Sequence, residues 1–347
     1  MQVAKRSAEL IGQTDLLRLN SLSDLTGCDI WVKLESQNPG GSIKDRAALQ
    51  MIKDAMDKGE LKPGMTIVEG TAGNTGIGLA VVARSFGLNM LAVMPNDQSK
   101  EKERMITLHG AQLKTVDPVP FKNENHFYHT ARRLAEQNDD YWWANQFENT
   151  SNARAHYLTT GPEIWQQTNG NIDILVSVAG TGGTIAGNSM YLKERNPNMQ
   201  VWLADPDGSG IYSYLKTGEY VSQGSSFTEG IGIMRLVENF KQARIDAAVN
   251  LPDDDLVTLS RYLVEHEGLV LGSSSCLNVA GALQAAVLHG PGKTVVTFAC
   301  DLGERSASKL YNEDYLKQRG VRTEPEKISE LIRRYQNQGD KVWYRQS

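Results

Sequence analysis

Cysteine is scarce in this chain. Three residues in 347, Cys28, Cys276 and Cys300, form no CxxC pair and no zinc-ligand spacing. An odd, sparse set argues against a disulfide framework and leads us to expect a reducing cytoplasm. An excess of positive charge is also missing. Lys and Arg total 36 against 41 Asp and Glu, for a net charge of -5, and no basic cluster occurs. Nucleic acid therefore lacks the electrostatic footprint that it needs and is not an expected partner. No apolar run reaches membrane-spanning length, and the opening MQVAKRSAEL has no signal-peptide apolar region, so no membrane partner is expected either. No linker rich in Pro or Ser, no internal repeat and no low-complexity tract interrupts the chain.

What remains is an ordinary globular composition, 40% hydrophobic and 22% charged, long enough for two domains or one large one. Short apolar runs alternate with helical patterns. DIWVKLE reads as a strand, as do MTIVEG, NMLAVMP and AQLKTV. The segments Gly76–Phe86 and Gln98–Leu108 between the last three read as helices. IDILVSVAG, MQVWLADP and KTVVTFAC continue the strands. Buried apolar strands between amphipathic helices indicate parallel βαβ units and doubly wound sheets. One compact set of units spans about 47–143 and a second follows it. The tail from Arg322 reads as a polar helix with an extended end.

Three strand-to-helix junctions carry the chemistry. In NPGGSIKDRAA, Lys44 stands at the mouth of a helix, where the dipole disfavours a positive charge. Either it is solvated beside Asp45 or it is a lysine adapted to lose its proton, as Schiff-base chemistry needs. EGTAGNTGIGLA offers Thr71, Gly73, Asn74 and Thr75 at a helix start, suited to holding a carboxylate unless the loop is only a tight turn. VAGTGGTIAG offers Gly180, Thr181, Gly182, Gly183 and Thr184, a cradle for phosphate oxygens. No GKS or GKT follows it, so it is not a Walker loop. Neither glycine loop makes a convincing dinucleotide fingerprint, which leaves a nicotinamide oxidoreductase a weak rival. In GLVLGSSSCLNVAGAL, Ser274 is either a helix cap or a partner for a cofactor ring nitrogen. In FTEGIGIMR, Gly230 and Gly232 allow a loop to move over a ligand. Arg235 beyond them would either meet an anionic group at the site mouth or pair with a local acid such as Glu238.

These segments, together with NQFEN, TTGPEIW, EGIG and GERSASKLYN in that order, resemble the pyridoxal-phosphate enzymes of the cysteine synthase and cystathionine β-synthase family, over about Leu10–Leu316. The resemblance implies fold type II: two doubly wound α/β domains with mainly parallel sheets. The larger would comprise residues 1–46 plus 144–320, the smaller, mobile one 47–143, and 321–347 would be a C-terminal extension. It implies pyridoxal 5'-phosphate as cofactor, bound to Lys44 as an internal aldimine, with Asn74 on its phenolic oxygen. Gly180–Thr184 would hold its phosphate and Ser274 would face its pyridine nitrogen. Thr71, Ala72, Gly73, Thr75 and Gln146 would receive the substrate α-carboxylate, with Gly230 on the loop above. No metal is implied.

The implied reaction forms L-cysteine from an O-activated serine such as O-acetylserine and sulfide, through an α-aminoacrylate. Alternatives are L-cysteine desulfhydration, cystathionine β-synthase-like condensation with a thiol, or a non-catalytic sensor or scaffold. A homodimer is implied. Two departures stand out: Cys276 and Cys300 replace residues common in relatives, and Asp301 beside Cys300 would alter the surroundings of the ring nitrogen.

Overall fold

A computed structural model describes residues 3–345. Strands β1 (Leu16–Arg18) and β2 (Asp29–Leu34) form an antiparallel pair. Strands β3 (Thr66–Gly70), β4 (Asn89–Pro95), β5 (Gln112–Val116) and β6 (Tyr141–Trp143) form a four-stranded sheet in the order β5-β4-β3-β6. Every pairing in it is parallel. Strands β7 (Ile174–Ser177), β8 (Gln200–Pro206), β9 (Ala247–Leu251), β10 (Thr294–Ala299) and β11 (Trp343–Tyr344) join β1 and β2 in a seven-stranded sheet, ordered β1-β2-β10-β7-β8-β9-β11. It is parallel from β2 to β9 and antiparallel at both edges.

The apolar runs form central strands because helices cover both faces. All six residues of β10, TVVTFA, are buried, as are all four of β7. The helix Ser273–His289 is buried along most of its length, which is why its sequence is small and apolar on every side. At Gly281 a Cβ would come within 2.7 Å of Ala204 Cβ on β8, so glycine permits that close crossing. One apolar core surrounds the large sheet, and the small sheet carries two, one on each face. Among the described residues, no helix is long and apolar enough to cross a membrane.

The tail does more than its polar sequence suggests. Its helix, Ile328–Gln336, buries Leu331 and Tyr335. The Tyr335 hydroxyl donates to Asp255 Oδ2 at 2.7 Å, and Arg334 pairs with the same carboxylate. Trp343 then pairs with Ala248 on β9, closing the edge of the large sheet.

Candidate active site

A cavity of about 580 Å³ lies between the two sheets. Residues at or just beyond the carboxyl ends of β3, β4, β7 and β10 line it: Thr71, Pro95, Ser177 and Cys300. Parallel α/β sheets place ligands at this position. Lys44, Thr71, Ala72, Gly73, Asn74, Thr75, Gln146, Gly180, Thr181, Gly182, Thr184, Gly230 and Ser274 all line this one cavity. Gly183 does not. It lies behind the cradle, where a Cβ would overlap the Asn152 carboxamide.

Lys44 begins the helix Lys44–Asp57. The loop before it is tied to β10, because Ile43 N–H donates to the Cys300 carbonyl at 3.0 Å. Gly41 there has φ +74, a conformation that suits glycine. Lys44 is half-buried and lines the cavity. Burial lowers the ammonium pKa, opposed by the nearby Cys300 and Asp301. This environment fits a lysine that works as a free amine, and it disagrees with a fully solvated one.

Asn74 starts the helix Asn74–Ser85, preceded by Gly73 at φ +138. Thr71 Oγ1 accepts from Gly73 N–H at 3.0 Å and from Gly76 N–H at 3.3 Å, which curls the loop. Thr75 donates to Gln146 Oε1 at 2.6 Å, and Gln146 Nε2 donates to the Gly70 carbonyl at 2.9 Å. Gln146 is thereby locked against the loop from 71 residues away. Below it lies Glu69, fully buried, with Oε2 unpartnered. Burial pushes its carboxyl up to about 8.

The third loop is shaped for close approach. Gly182 has φ +84, and a Cβ on it would lie 2.6 Å from Phe240. A Cβ on Gly180 would overlap the Gly230 carbonyl. The helix Gly183–Lys193 presents its free N–H groups at this point. Both threonine hydroxyls are held from behind: Thr181 Oγ1 accepts from Asn152 Nδ2 at 2.8 Å, and Thr184 Oγ1 lies 3.2 Å from His156 Nε2. His156 is kept neutral by burial, reinforced by the Arg46 and Lys44 charges.

Ser274 lines the cavity beside Cys300, whose thiol is pushed up to about 12 by burial and the neighbouring Asp301. Cys300 is therefore an un-ionised, inert neighbour. The Asp301 carboxylate lies with one oxygen beside Gly272, two residues before Ser274. It turns toward the Asn74 loop, where its Oδ2 accepts from Asn74 Nδ2 at 2.7 Å.

The loop with Gly230 (φ +71) and Gly232 (φ +93) covers the cavity and is fastened at both ends. Glu229 accepts from Ser99 N–H, Lys102 Nζ and Lys309 Nζ, each at 2.7 Å. Arg235 does not line the cavity. It pairs with Glu148, and its guanidinium lies 4.6 Å from the Phe121 ring centroid and 5.1 Å from that of Tyr128. It is a clamp, paired with an acid, though not the Glu238 weighed from sequence. Sequence reading missed Lys102, Lys309 and Arg305. Lys102 sits in KEKERM, a segment that reads as a solvated face, yet it is 4% exposed.

The donor set fits pyridoxal phosphate. Glycines clear a cradle at a helix N-terminus, and an amine of lowered pKa opens on the same cavity as Asn74 and a hydroxyl at Ser274. Comparison with known proteins agrees. The family model described as "Pyridoxal-phosphate dependent enzyme" matches residues 8–301. A cysteine synthase of Dictyostelium discoideum is 46% identical over 318 residues, covering 89% of this chain and 84% of that one. The crystal structure of an O-acetylserine dependent cystathionine beta-synthase from Helicobacter pylori superposes with a TM-score of 0.80 at 32% identity, over 89% of this chain and 99% of that one. A hydrogen sulfide-producing enzyme from Fusobacterium nucleatum superposes with a TM-score of 0.79 at 31% identity, over 88% and 99%.

Proposed function

The chain belongs to the pyridoxal-phosphate dependent enzymes, and from that premise we propose that it forms L-cysteine by β-replacement, from O-acetylserine or another O-activated serine and sulfide. The observation that carries this reading is the convergence on one cavity of Lys44, Asn74, the Gly180–Thr184 loop and Ser274. Support outside the chain comes from the 46% identity with a cysteine synthase.

When bound, the cofactor supplies an electron sink for the pair left on Cα as its proton departs. The chain's own residues do the rest. Lys44 would hold the cofactor, and its amine would serve as the base that takes the Cα proton. The lowered pKa supports that role. Asn74 addresses the phenolic oxygen, and the backbone of Gly180–Thr184 holds the phosphate. Ser274, a hydroxyl without a full charge, limits protonation of the ring and so favours loss of the β-substituent over transamination. Thr71, Ala72, Gly73, Thr75 and Gln146 receive the α-carboxylate, and the Gly230 loop closes over it.

We further read residues 47–143 as a mobile unit moving against 1–46 plus 144–320, with 321–347 as an extension, and the working state as a cytoplasmic homodimer. The three free, buried cysteines suit a reducing compartment. Light scattering tests the dimer.

The likenesses to a cystathionine synthase and to a sulfide producer favour a second reading, in which a thiol replaces sulfide or L-cysteine is cleaved. The deciding experiment quantifies products from O-acetylserine, O-phosphoserine and L-cysteine, each with and without sulfide or homocysteine. Cysteine as the dominant product with sulfide supports the first reading. Cystathionine, or sulfide released from L-cysteine, as the dominant product replaces it.

A further inference from the structure

Arg305 stands outside the cavity lining, yet it touches both loops that bring functional groups to it. Its Nη1 donates to Asn74 Oδ1 at 2.8 Å, and its Nη2 donates to the Gly40 carbonyl in the loop before Lys44. Arg305 is 8% exposed and packs so closely that a Cβ on Gly41 would come within 2.6 Å of its Nη2. On the other side of the Asn74 amide, Asp301 Oδ2 accepts from Nδ2 at 2.7 Å.

The chemistry of these partners sets the amide orientation. A guanidinium can only donate and a carboxylate can only accept. The Asn74 oxygen must therefore face Arg305, and its NH2 must face Asp301. One of the two N–H bonds of Nδ2 is used by Asp301, and the other is left to give. An Asn74 without these partners could flip and offer its oxygen, which would repel a phenolate. We propose that Arg305 is a positioning residue that fixes the Asn74 amide as a donor to the cofactor's phenolic oxygen and ties that amide to the Lys44 loop through Gly40. The two contacts matter together, because the phenolic oxygen and the carbon that Lys44 attacks are on neighbouring ring positions of pyridoxal phosphate.

Two buried acids accompany the charge. Asp45 Oδ2 accepts from Gly40 N–H at 2.5 Å, so the same glycine is held through its N–H by Asp45 and through its carbonyl by Arg305. Asp45 Oδ1 and Asp301 Oδ1 are buried without hydrogen-bond partners.

The inference rests on the assignment of Lys44 and Asn74 to the cofactor, and the test separates the two. Apo protein is titrated with pyridoxal phosphate and the dissociation constant read from the visible band, for the wild type, Arg305→Met, Asn74→Ala and the double variant. Arg305→Met is expected to weaken binding about tenfold or more, the loss of a charged hydrogen bond. In the Asn74→Ala background the same change should cost less than about twofold, because its object is gone. Arg305→Lys keeps the charge without the two-armed fork and should not restore the wild-type constant. Circular dichroism and thermal melting confirm that each variant is folded. An equal loss in both backgrounds, or full rescue by lysine, overturns the proposal and leaves Arg305 a structural cation. A wild type with no band fixed to Lys44 takes down the cofactor assignment together with it.

Discussion

Arg46 Nε donates to Glu35 Oε2 across 2.7 Å, and both side chains are out of water, at 1% and 0% exposure. Glu35 also accepts from Thr14 and Asn38, and Arg46 reaches Glu163 at 2.7 Å. The pair lies directly behind the Lys44 loop, between Asn38 and the first turn of its helix. Removing Arg46 strands the buried Glu35 carboxylate, so Arg46→Met should cost about 3–5 kcal/mol, measured by urea unfolding. Glu35→Gln should cost less, because Arg46 keeps Glu163. The double variant should lose clearly less than the two losses added together, and simple additivity would contradict the pairing.

Lys44→Ala should abolish turnover while leaving some cofactor bound without a covalent link, through the Gly180–Thr184 loop. Borohydride reduction of the wild type followed by peptide mapping should mark Lys44. A label on any other lysine would show the assignment to be wrong.

Glu69 makes stability depend on pH. Burial raises its carboxyl from 4.5 to about 8, so folding favours the neutral form. The stability it contributes is complete below 4.5 and is lost as pH climbs through 8, on the order of a few kcal/mol. Asp45, raised by burial from 3.8 to about 7, acts in the same sense. Glu163 acts oppositely. Burial would raise it, but Arg46 and Lys33 pull it from 4.5 to about 2, so its contribution is lost as pH falls across that range. Glu69→Gln should therefore gain stability over the wild type as pH rises through the window from 4.5 to 8. Parallel curves for the two proteins in chemical denaturation across that window would refute this.

Glu229 fastens the covering loop to Ser99, Lys102 and Lys309. Glu229→Ala should release it, raising KM for the amino-acid substrate about tenfold with a smaller change in kcat. Amide exchange should speed up in residues 227–235. Unchanged exchange there would mean that the Arg235 clamp alone holds the loop.

Long apolar strands such as β4 and β10 and the glycine loops at their ends announce themselves, because a strand buried on both faces must be apolar and a phosphate cradle must lack side chains. Short edges do not. The YWW of β6 and the WY of β11 are too brief to carry a period, and the inner strand β9, AAVNL, is broken by Asn250. Long-range polar partners are equally silent. Arg305 meets Asn74 across 231 positions, and Arg235 finds Glu148 across 87, so neither link leaves a local pattern. Asp301 shows the same limit: its contact with the Asn74 amide spans 227 positions and leaves no local pattern.

The pairing of β2 with β10, which aligns Asp29 with Thr294, has a consequence for biogenesis. During translation the β1–β2 hairpin leaves the ribosome early, but its parallel neighbour is made only after most of the chain has emerged. The four strands of the smaller sheet, by contrast, lie within residues 66–143 and find their partners as soon as they are synthesised. The nascent chain must therefore carry an apolar, half-paired hairpin past an already assembled sheet until β10 arrives. Such a long wait for a distant strand slows closure and exposes an adhesive edge meanwhile. Docking of the N-terminal strand pair is therefore the step of the large sheet that must wait for a partner more than 250 residues away, since Asp29 aligns with Thr294.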